Sequence, residues 1–409
     1  MTALNDGPLK GLVVFDLTRI LAGPHCTQIL GDLGAEVIKV ERPSVGDDTR
    51  NFAPPYLPTA SGEDSSESAY FAGTNRNKRS ITLNLSDPKG QAIARQLIAK
   101  SDILTENFKT GTLAKYGLDY PTLSEEFPRL IYCSVTGFGH TGPYAERPAY
   151  DALIQAMGGV MSLTGEPKGE PMKVGVSIAD LMSGMYAAVA VLAAVRHQQA
   201  TGRGQHLDIS MLDAHVAWLA NQGMNYLATG ENPERLGNQH PNIVPYQVMP
   251  SSDGYFVISV GNDPTFERFC KVAGAEALVA DERFATAVAR VRNREIVTEH
   301  LNEVTRQHPT DWWIERLEAE KVGCGRINGL DEVFNDPQVQ AREMVIEMPH
   351  PSTEGRPAKL IASPLKLSET PVSYRRAPPT LGQHTEEVLG ELLGLGSAEV
   401  SNLRDDGIV

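Results

Sequence analysis

The sequence predicts an α/β fold on a mostly parallel sheet. Three features point to it. Residues 11–40 read strand, helix, strand within about thirty residues, which is one βαβ unit. The alternation recurs down to about residue 210. A helical pattern, Pro88–Lys100, lies between two of the later strands, as in the first βαβ unit.

Each element follows from its residues. G-L-V-V-F-D (11–16) is a short apolar run, the mark of a buried strand. Gly23 and Pro24 open a helix that runs toward Gly34, and E-V-I-K-V (36–40) is the next strand. Pro54–Ser68 is rich in Pro, Gly, Ser and acid, so it reads as a surface loop. R-S-I-T-L-N-L (79–85) alternates as a strand, Pro88–Lys100 reads as a helix, and Ile103–Glu106, Leu130–Val135 and His206–Ser210 as further strands. The long apolar stretch Ile178–Val195 is rich in Ala, Gly and Ser and holds Asp180; it reads as a tightly packed core helix, not a membrane span. After about residue 225 the pattern changes. Residues 241–250 are loop-like, Tyr255–Val260 is a strand, and helical patterns fill 264–320. The expected organisation is therefore 1–225 as the first part of a large domain, 226–325 as a small domain, and 326–409 as a return that completes the large one. Within that return Asp331–Glu343 reads as a helix of the large domain, followed by strand and loop segments. No solenoid-like repeat is visible.

Charge and composition narrow the chemistry. The 409 residues carry 37 Lys+Arg against 51 Asp+Glu, a net charge of −14, which disfavours nucleic acid as a partner. Hydrophobic residues at 41% and charged residues at 22% suit a folded chain rather than a disordered one. Cys26, Cys133, Cys270 and Cys324 lie far apart with no C-x-x-C, so neither a metal site nor a disulfide framework is indicated. The first residues lack the pattern of a signal peptide, and a cytoplasmic location is expected.

Five features are candidates for chemistry. Gly137–Gly142 spells G-x-G-x-x-G after a strand, but Pro143 and Pro148 follow where a dinucleotide fingerprint needs a helix, so a turn that shapes a pocket wall is expected. Asp180 opens the Ala-rich helix. It reads either as an N-cap or as a carboxylate kept ionised by the helix N-terminus and able to attack an activated acyl carbon. Tyr150 and Asp151 read as a structural Tyr with a helix cap, or as a polar pair in the same pocket. Arg42, Lys78, Arg79, Lys109 and Lys115 sit near predicted strand ends, where open α/β sheets bind ligands; in an acidic protein this suggests a phosphorylated ligand, although each singly fits a solvated charge. The loop Arg235–Asn242 encloses His240 between Gly and Pro.

Several ordered motifs resemble class III (CaiB/BaiF-type) CoA-transferases, the family of formyl-CoA and carnitine CoA-transferases. They are L-A-G-P-H-C-T-Q-I-L-G-D-L-G-A-E-V-I-K-V-E-R-P (21–43), N-K-R-S-I-T-L-N-L (77–85), E-N-F (106–108), G-F-G-x-T-G-P (137–143), Y-D-A-L-I-Q-A-M-G-G (150–159), A-D-x-x-S-G-M (179–185), T-G-R-G-Q (201–205) and D-P-Q-V-Q-A-R (336–342). The resemblance implies a Rossmann-like large domain, a smaller α+β domain, and a ring-shaped monomer interlocked with a second copy as a homodimer. It implies coenzyme A as substrate, with no tightly bound cofactor, no NAD and no membrane partner.

By resemblance Asp180 is the nucleophile that carries first an acyl anhydride and then a CoA thioester. Leu21 and Ala22 match pocket residues near the thiol, and Arg42 and Lys115 match phosphate-binding cations. Leu83, Asn84, Leu85 and Ser86 match an adenine-contacting strand end, Asn107, Phe108 and Lys109 the stretch after it, and Tyr150 and Asp151 a pair near the thioester. Formyl-CoA transferase has Gln and His where this chain has Leu21 and Arg19, and a glycine-rich loop where it has G-N-Q-H-P-N. The loop around His240 is similar instead to the branch handling succinate, hydroxymethylglutarate and itaconate.

The expected reaction moves CoA from an acyl-CoA, succinyl-CoA in particular, to a small dicarboxylic acid such as itaconate or hydroxymethylglutarate. Arg19 and His240 are candidate substrate contacts; Arg19 fits a clamp on the distal carboxylate and a structural ion pair equally well. The alternatives are transfer to formate or another monocarboxylate, an α-methylacyl-CoA racemase, and a CoA-binding scaffold. The racemase needs a His at position 150, and a neutral Tyr is a poor base there.

Overall fold

The computed structural model describes residues 7–409. The chain divides into two units. One comprises residues up to Gly158, Gly175–Trp218 and Gln338–Val409; the other comprises Gly159–Val174 and Leu219–Pro337. The second unit thus begins at 219 rather than 226, runs to 337 rather than 325, and takes in 159–174.

The main sheet of the first unit has six strands: β1 Val13–Asp16, β2 Glu36–Glu41, β3 Lys78–Thr82, β4 Ile103–Glu106, β5 Ile131–Thr136 and β6 His206–Ser210. All five pairings are parallel, and the order is β3-β2-β1-β4-β5-β6. This is the doubly wound order, with its switch point between β1 and β4. The strands read as apolar runs because both faces are covered. Phe15, Ile38, Ile81 and Leu104 face a core shared with α2 (Pro88–Ile98) and the C-terminal helices Thr385–Leu393 and Ser397–Asp405. Val14, Val37, Ile103 and Ile131 face the other core, shared with α1 (Ala22–Asp32) and α4 (Ile178–Thr201). Between those two helices in sequence lies α3 (Asp151–Met157). Each buried Leu or Ile side chain stabilises the fold by roughly 1.5–3 kcal/mol.

Three local expectations are corrected. Residues 54–68 are not all loop: Tyr56–Pro58 pairs antiparallel with Asp64–Ser68. Residues 331–343 are not one helix. Leu330–Asn335 stops before Pro337, which has no N–H to continue the ladder, and Pro337–Ala341 restarts; the first piece belongs to the second unit. Helix α4 is not core on all sides. Ala187, Val191 and Ala194 are buried, while Met185, Tyr186, Val189 and Leu192 are exposed. It is long and apolar enough to cross a membrane, but half of its most apolar window is buried inside the chain.

The second unit has a three-stranded antiparallel sheet, Gly323–Arg326, Tyr255–Ser259 and Tyr246–Pro250 in that order. Phe256, Ile258, Phe266, Phe269, Trp313 and Leu317 form its core. Arg290 is fully buried there and donates to the carbonyls of Val244 and Phe284 and to Asp263. Every donor of its fork that is used meets an oxygen, which is what allows a buried guanidinium.

Candidate active site

Two glycines shape the site. A Cβ at Gly184 would lie 2.5 Å from the carbonyl oxygen of Ala22, so only glycine lets α4 rest on the start of α1. That contact brings Asp180, one turn earlier, beside the loop leaving β1. A Cβ at Gly137, just after β5, would lie 2.1 Å from that of Ala149, so segment 145–150 closes down on the sheet edge. The result is a cavity of about 220 Å³ at the carboxyl ends of β1, β4 and β5. Leu21, Ala22, Asn107, Lys109, Tyr150 and Asp180 line it together. This is the switch-point crevice where doubly wound sheets bind ligands.

Asp180 is the third residue of α4, and its carboxylate accepts no hydrogen bond from any described residue. The capping contact comes from elsewhere: Asp151 Oδ1 accepts from the amide of Ala179 at 2.9 Å, and its Oδ2 accepts from Gln155 at 2.7 Å. Asp151 thus holds the helix end rather than lining the cavity. Burial first, and the Asp151 charge second, push the Asp180 carboxyl up from 3.8 to about 7. The expectation that the helix N-terminus keeps Asp180 fully ionised is therefore corrected. Near neutrality it is poised between its two forms, a poorly hydrated carboxylate with no partner. Tyr70 also stands nearby, with its hydroxyl bonded to the Ser177 side chain at the helix cap and held above its ordinary pKa by burial. Its position in sequence, over a hundred residues before Asp180, gave no signal of this.

A larger cavity, about 520 Å³, continues along the sheet edge past β2 and β3. Arg42 and the run Leu83–Ser86 line it, and Arg19 and Phe108 line both cavities. Gly407, near the C-terminus, contributes to its wall, as the amide of Asn84 bonds the Ile408 carbonyl. The Asn107 side chain clamps the Arg19 backbone, accepting from its N–H at 2.9 Å and donating to its carbonyl at 2.7 Å. Asp48 accepts from both Arg19, at 2.7 Å, and Arg42, at 3.2 Å. Beneath them Lys39 donates to Asp47 at 2.8 Å and to the Thr18 carbonyl at 2.9 Å, which fixes the loops carrying those arginines. The ammonium beside it helps hold the Asp47 carboxyl down at about 2 against the cost of burial.

Other expected positions fall elsewhere. Lys115 is exposed on a short turn and lines neither cavity, whereas Tyr116 lines the larger one. Lys78 is not a ligand cation: it is buried and donates to Asp16, Asn75 and the Pro24 carbonyl. Arg79 is tied to Glu387 and Glu391. His240 belongs to the second unit, where its ring stacks on Tyr246 and its Nδ1 accepts from the Asn242 amide. The G-F-G-H-T-G segment is a turn, with Gly139 and Gly142 at positive φ. Its amides at Gly139 and His140 already serve Thr136 and Asp208, and no helix follows before Asp151. Among the described residues no three His, Cys, Asp or Glu side chains are grouped to hold a metal.

The fold and site define a doubly wound α/β enzyme whose long, cation-bearing groove ends at a free carboxylate. The model of CoA-transferase family III matches residues 9–385, and the chain belongs to that family. It is 47% identical over 385 residues to the succinate–glutarate CoA-transferase of Agrobacterium fabrum, covering 94% of this chain and 96% of that one. It is 40% identical to the human succinyl-CoA:glutarate CoA-transferase, covering 99% of this chain and 90% of the human one. A crystal structure of a CaiB/BaiF family protein from Brucella suis superposes with a TM-score of 0.82 at 47% identity, over 94% of this chain and 99% of that one.

Proposed function

We propose that this enzyme transfers CoA from succinyl-CoA to a small dicarboxylic acid, with Asp180 as the covalent carrier. The observation that carries the reading is the unpartnered Asp180 carboxylate at the end of the groove. An Asp180 oxygen attacks the thioester carbonyl, the C–S bond breaks, and CoA leaves as thiolate. The thiolate then attacks the aspartyl carbonyl of the mixed anhydride, which releases the donor acid as carboxylate and leaves an aspartyl-CoA thioester. The acceptor carboxylate attacks that thioester and expels the thiolate. In the last step the thiolate attacks the acceptor's acyl carbon and restores Asp180. Each intermediate is an activated acyl group, so no external energy source enters and no net proton moves. Water is the hazard, since it would discharge either intermediate, and the small cavity around Asp180 leaves it little room.

CoA lies in this reading along the larger cavity, with its phosphates toward Arg42 and Arg19 and its adenine toward Leu83–Ser86. The relatives' names favour a glutarate-like acceptor over itaconate or hydroxymethylglutarate. The active form is a homodimer with interlocked chains. The exposed stripe of Met185, Tyr186, Val189 and Leu192 on α4 supports a second copy as its cover. A panel of acids incubated with labelled succinyl-CoA and read by mass spectrometry tests the function. Glutarate and similar dicarboxylates should capture CoA; capture by monocarboxylates alone would refute the acceptor class.

A further inference from the structure

We infer that Arg147 binds the carboxylate of the acceptor that does not react, and so sets the preference for dicarboxylic acids. The inference deepens the proposed function and rests on its reading of the Asp180 cavity as the acid site.

Arg147 lines that cavity with Asp180 and Tyr150, carried there by the Gly137–Ala149 contact. It forms no ion pair with a described carboxylate. That sets it apart from the neighbouring arginines: Arg19 and Arg42 are held by Asp48, and Arg50 by Glu41 and Glu67. The Arg147 guanidinium centre stands 3.9 Å from the centre of the Tyr144 ring. Stacking occupies one face of the guanidinium and leaves its N–H edge free, in the planar fork that matches a carboxylate in bidentate fashion. Arg19 is less suited to the task, because its Nη1 is already engaged at 2.7 Å. Lys109 also lines the cavity, but it lines the adjoining space toward His140 as well, and an ammonium is a point charge without the fork's directionality.

Charge balance strengthens the assignment. An incoming dicarboxylate brings two negative charges toward the Asp180 thioester, which is itself uncharged but has the Asp151 carboxylate close behind it. A cation in the same cavity offsets that repulsion only if it is not already neutralised, and Arg147 meets that condition. Because Arg147 is exposed, solvent screens part of its attraction, so the effect is a substrate preference rather than an absolute requirement.

The test uses the full-length enzyme with succinyl-CoA as donor. Steady-state constants are measured for glutarate, for its monoamide glutaramate and for pentanoate, with wild type, Arg147→Ala and Arg147→Lys. Wild type should favour glutarate. Arg147→Ala should raise the glutarate KM about tenfold or more, leave the other two acids within about twofold, and keep the CoA Kd and kcat near normal. Arg147→Lys should recover part of the loss. A glutarate preference that survives in Arg147→Ala, or a KM rise shared equally by all three acids, or a weakened CoA Kd in its place, would overturn the inference alone. A wild type with no preference for glutarate would bring down the acceptor class and this inference together.

Discussion

Asp151 accepts a hydrogen bond from the Ala179 amide at 2.9 Å and thereby caps, from 28 positions away in sequence, the helix that presents Asp180. One carboxylate holds the helix, and the other is left free. Their proximity also raises the Asp180 pKa. Asp151→Asn keeps an oxygen acceptor but removes the charge. It should therefore move the acid limb of kcat/KM to lower pH, with the plateau little changed. Asp151→Ala loses the cap as well and should cost about 0.5–2 kcal/mol of stability. An acid limb that stays near pH 7 in Asp151→Asn would contradict this electrostatic role.

The same shift has a consequence for stability. Asp180 goes from 3.8 to about 7 on folding, so the folded state holds its proton more tightly than the unfolded chain. The associated stabilisation is fully present below about pH 4 and is lost as pH rises through about 7. Asp180→Asn, which cannot ionise, should raise Tm relative to wild type at pH 8 and leave it nearly unchanged at pH 4. A uniform Tm offset across pH would show that the carboxyl is not perturbed. The same variant should lose CoA transfer.

Asp48 sits between Arg19 and Arg42, where the phosphates of CoA are proposed to bind. An incoming phosphate then competes with a resident carboxylate. Exposed pairs of this kind contribute about 0.2–1 kcal/mol each. Asp48→Asn should therefore tighten CoA binding by about two- to fivefold at low salt, and less at high salt. Calorimetry would read this directly. Weaker binding in Asp48→Asn would mean that Asp48 orients the arginines instead of competing for them.

Gly184→Ala tests the helix contact. The added carbon meets the Ala22 carbonyl, a backbone atom that cannot swing away. A cost of about 1–3 kcal/mol and a displaced Asp180 are expected, visible as a lower Tm and a large drop in kcat. A Gly184→Ala enzyme with wild-type Tm and rate would show that the two helices have room to spare.

Much of the sheet was legible because parallel strands buried on both faces leave short apolar runs; β1, β2 and β4 stand within a residue or two of their expected places. The hairpin at 56–68 was hidden by a Pro-, Ser- and Gly-rich composition that disguises strands. The exposed face of α4 was hidden because an Ala- and Val-rich helix has no polar stripe to mark it. At the site, Asp180, Tyr150, Arg42 and the Leu83–Ser86 run were found through motifs, and they line the two adjoining cavities. What motifs do not carry is which polar group spends itself on which. Lys78 looked like a ligand cation and is consumed by Asp16, and Asp151 looked like a pocket group and is consumed by Ala179. Those pairings join residues distant in sequence, and only the folded chain sets them.

The most direct test of the covalent role of Asp180 follows one oxygen atom. In the proposed sequence the bridging oxygen of the second anhydride comes from the acceptor, and it stays on Asp180 when the thiolate removes the acyl group. After a single turnover with glutarate labelled in its carboxylates with heavy oxygen, the peptide containing Asp180 should carry one heavy oxygen, located on that side chain by fragmentation. Accumulation of glutaryl-CoA with an unlabelled Asp180 would contradict the account.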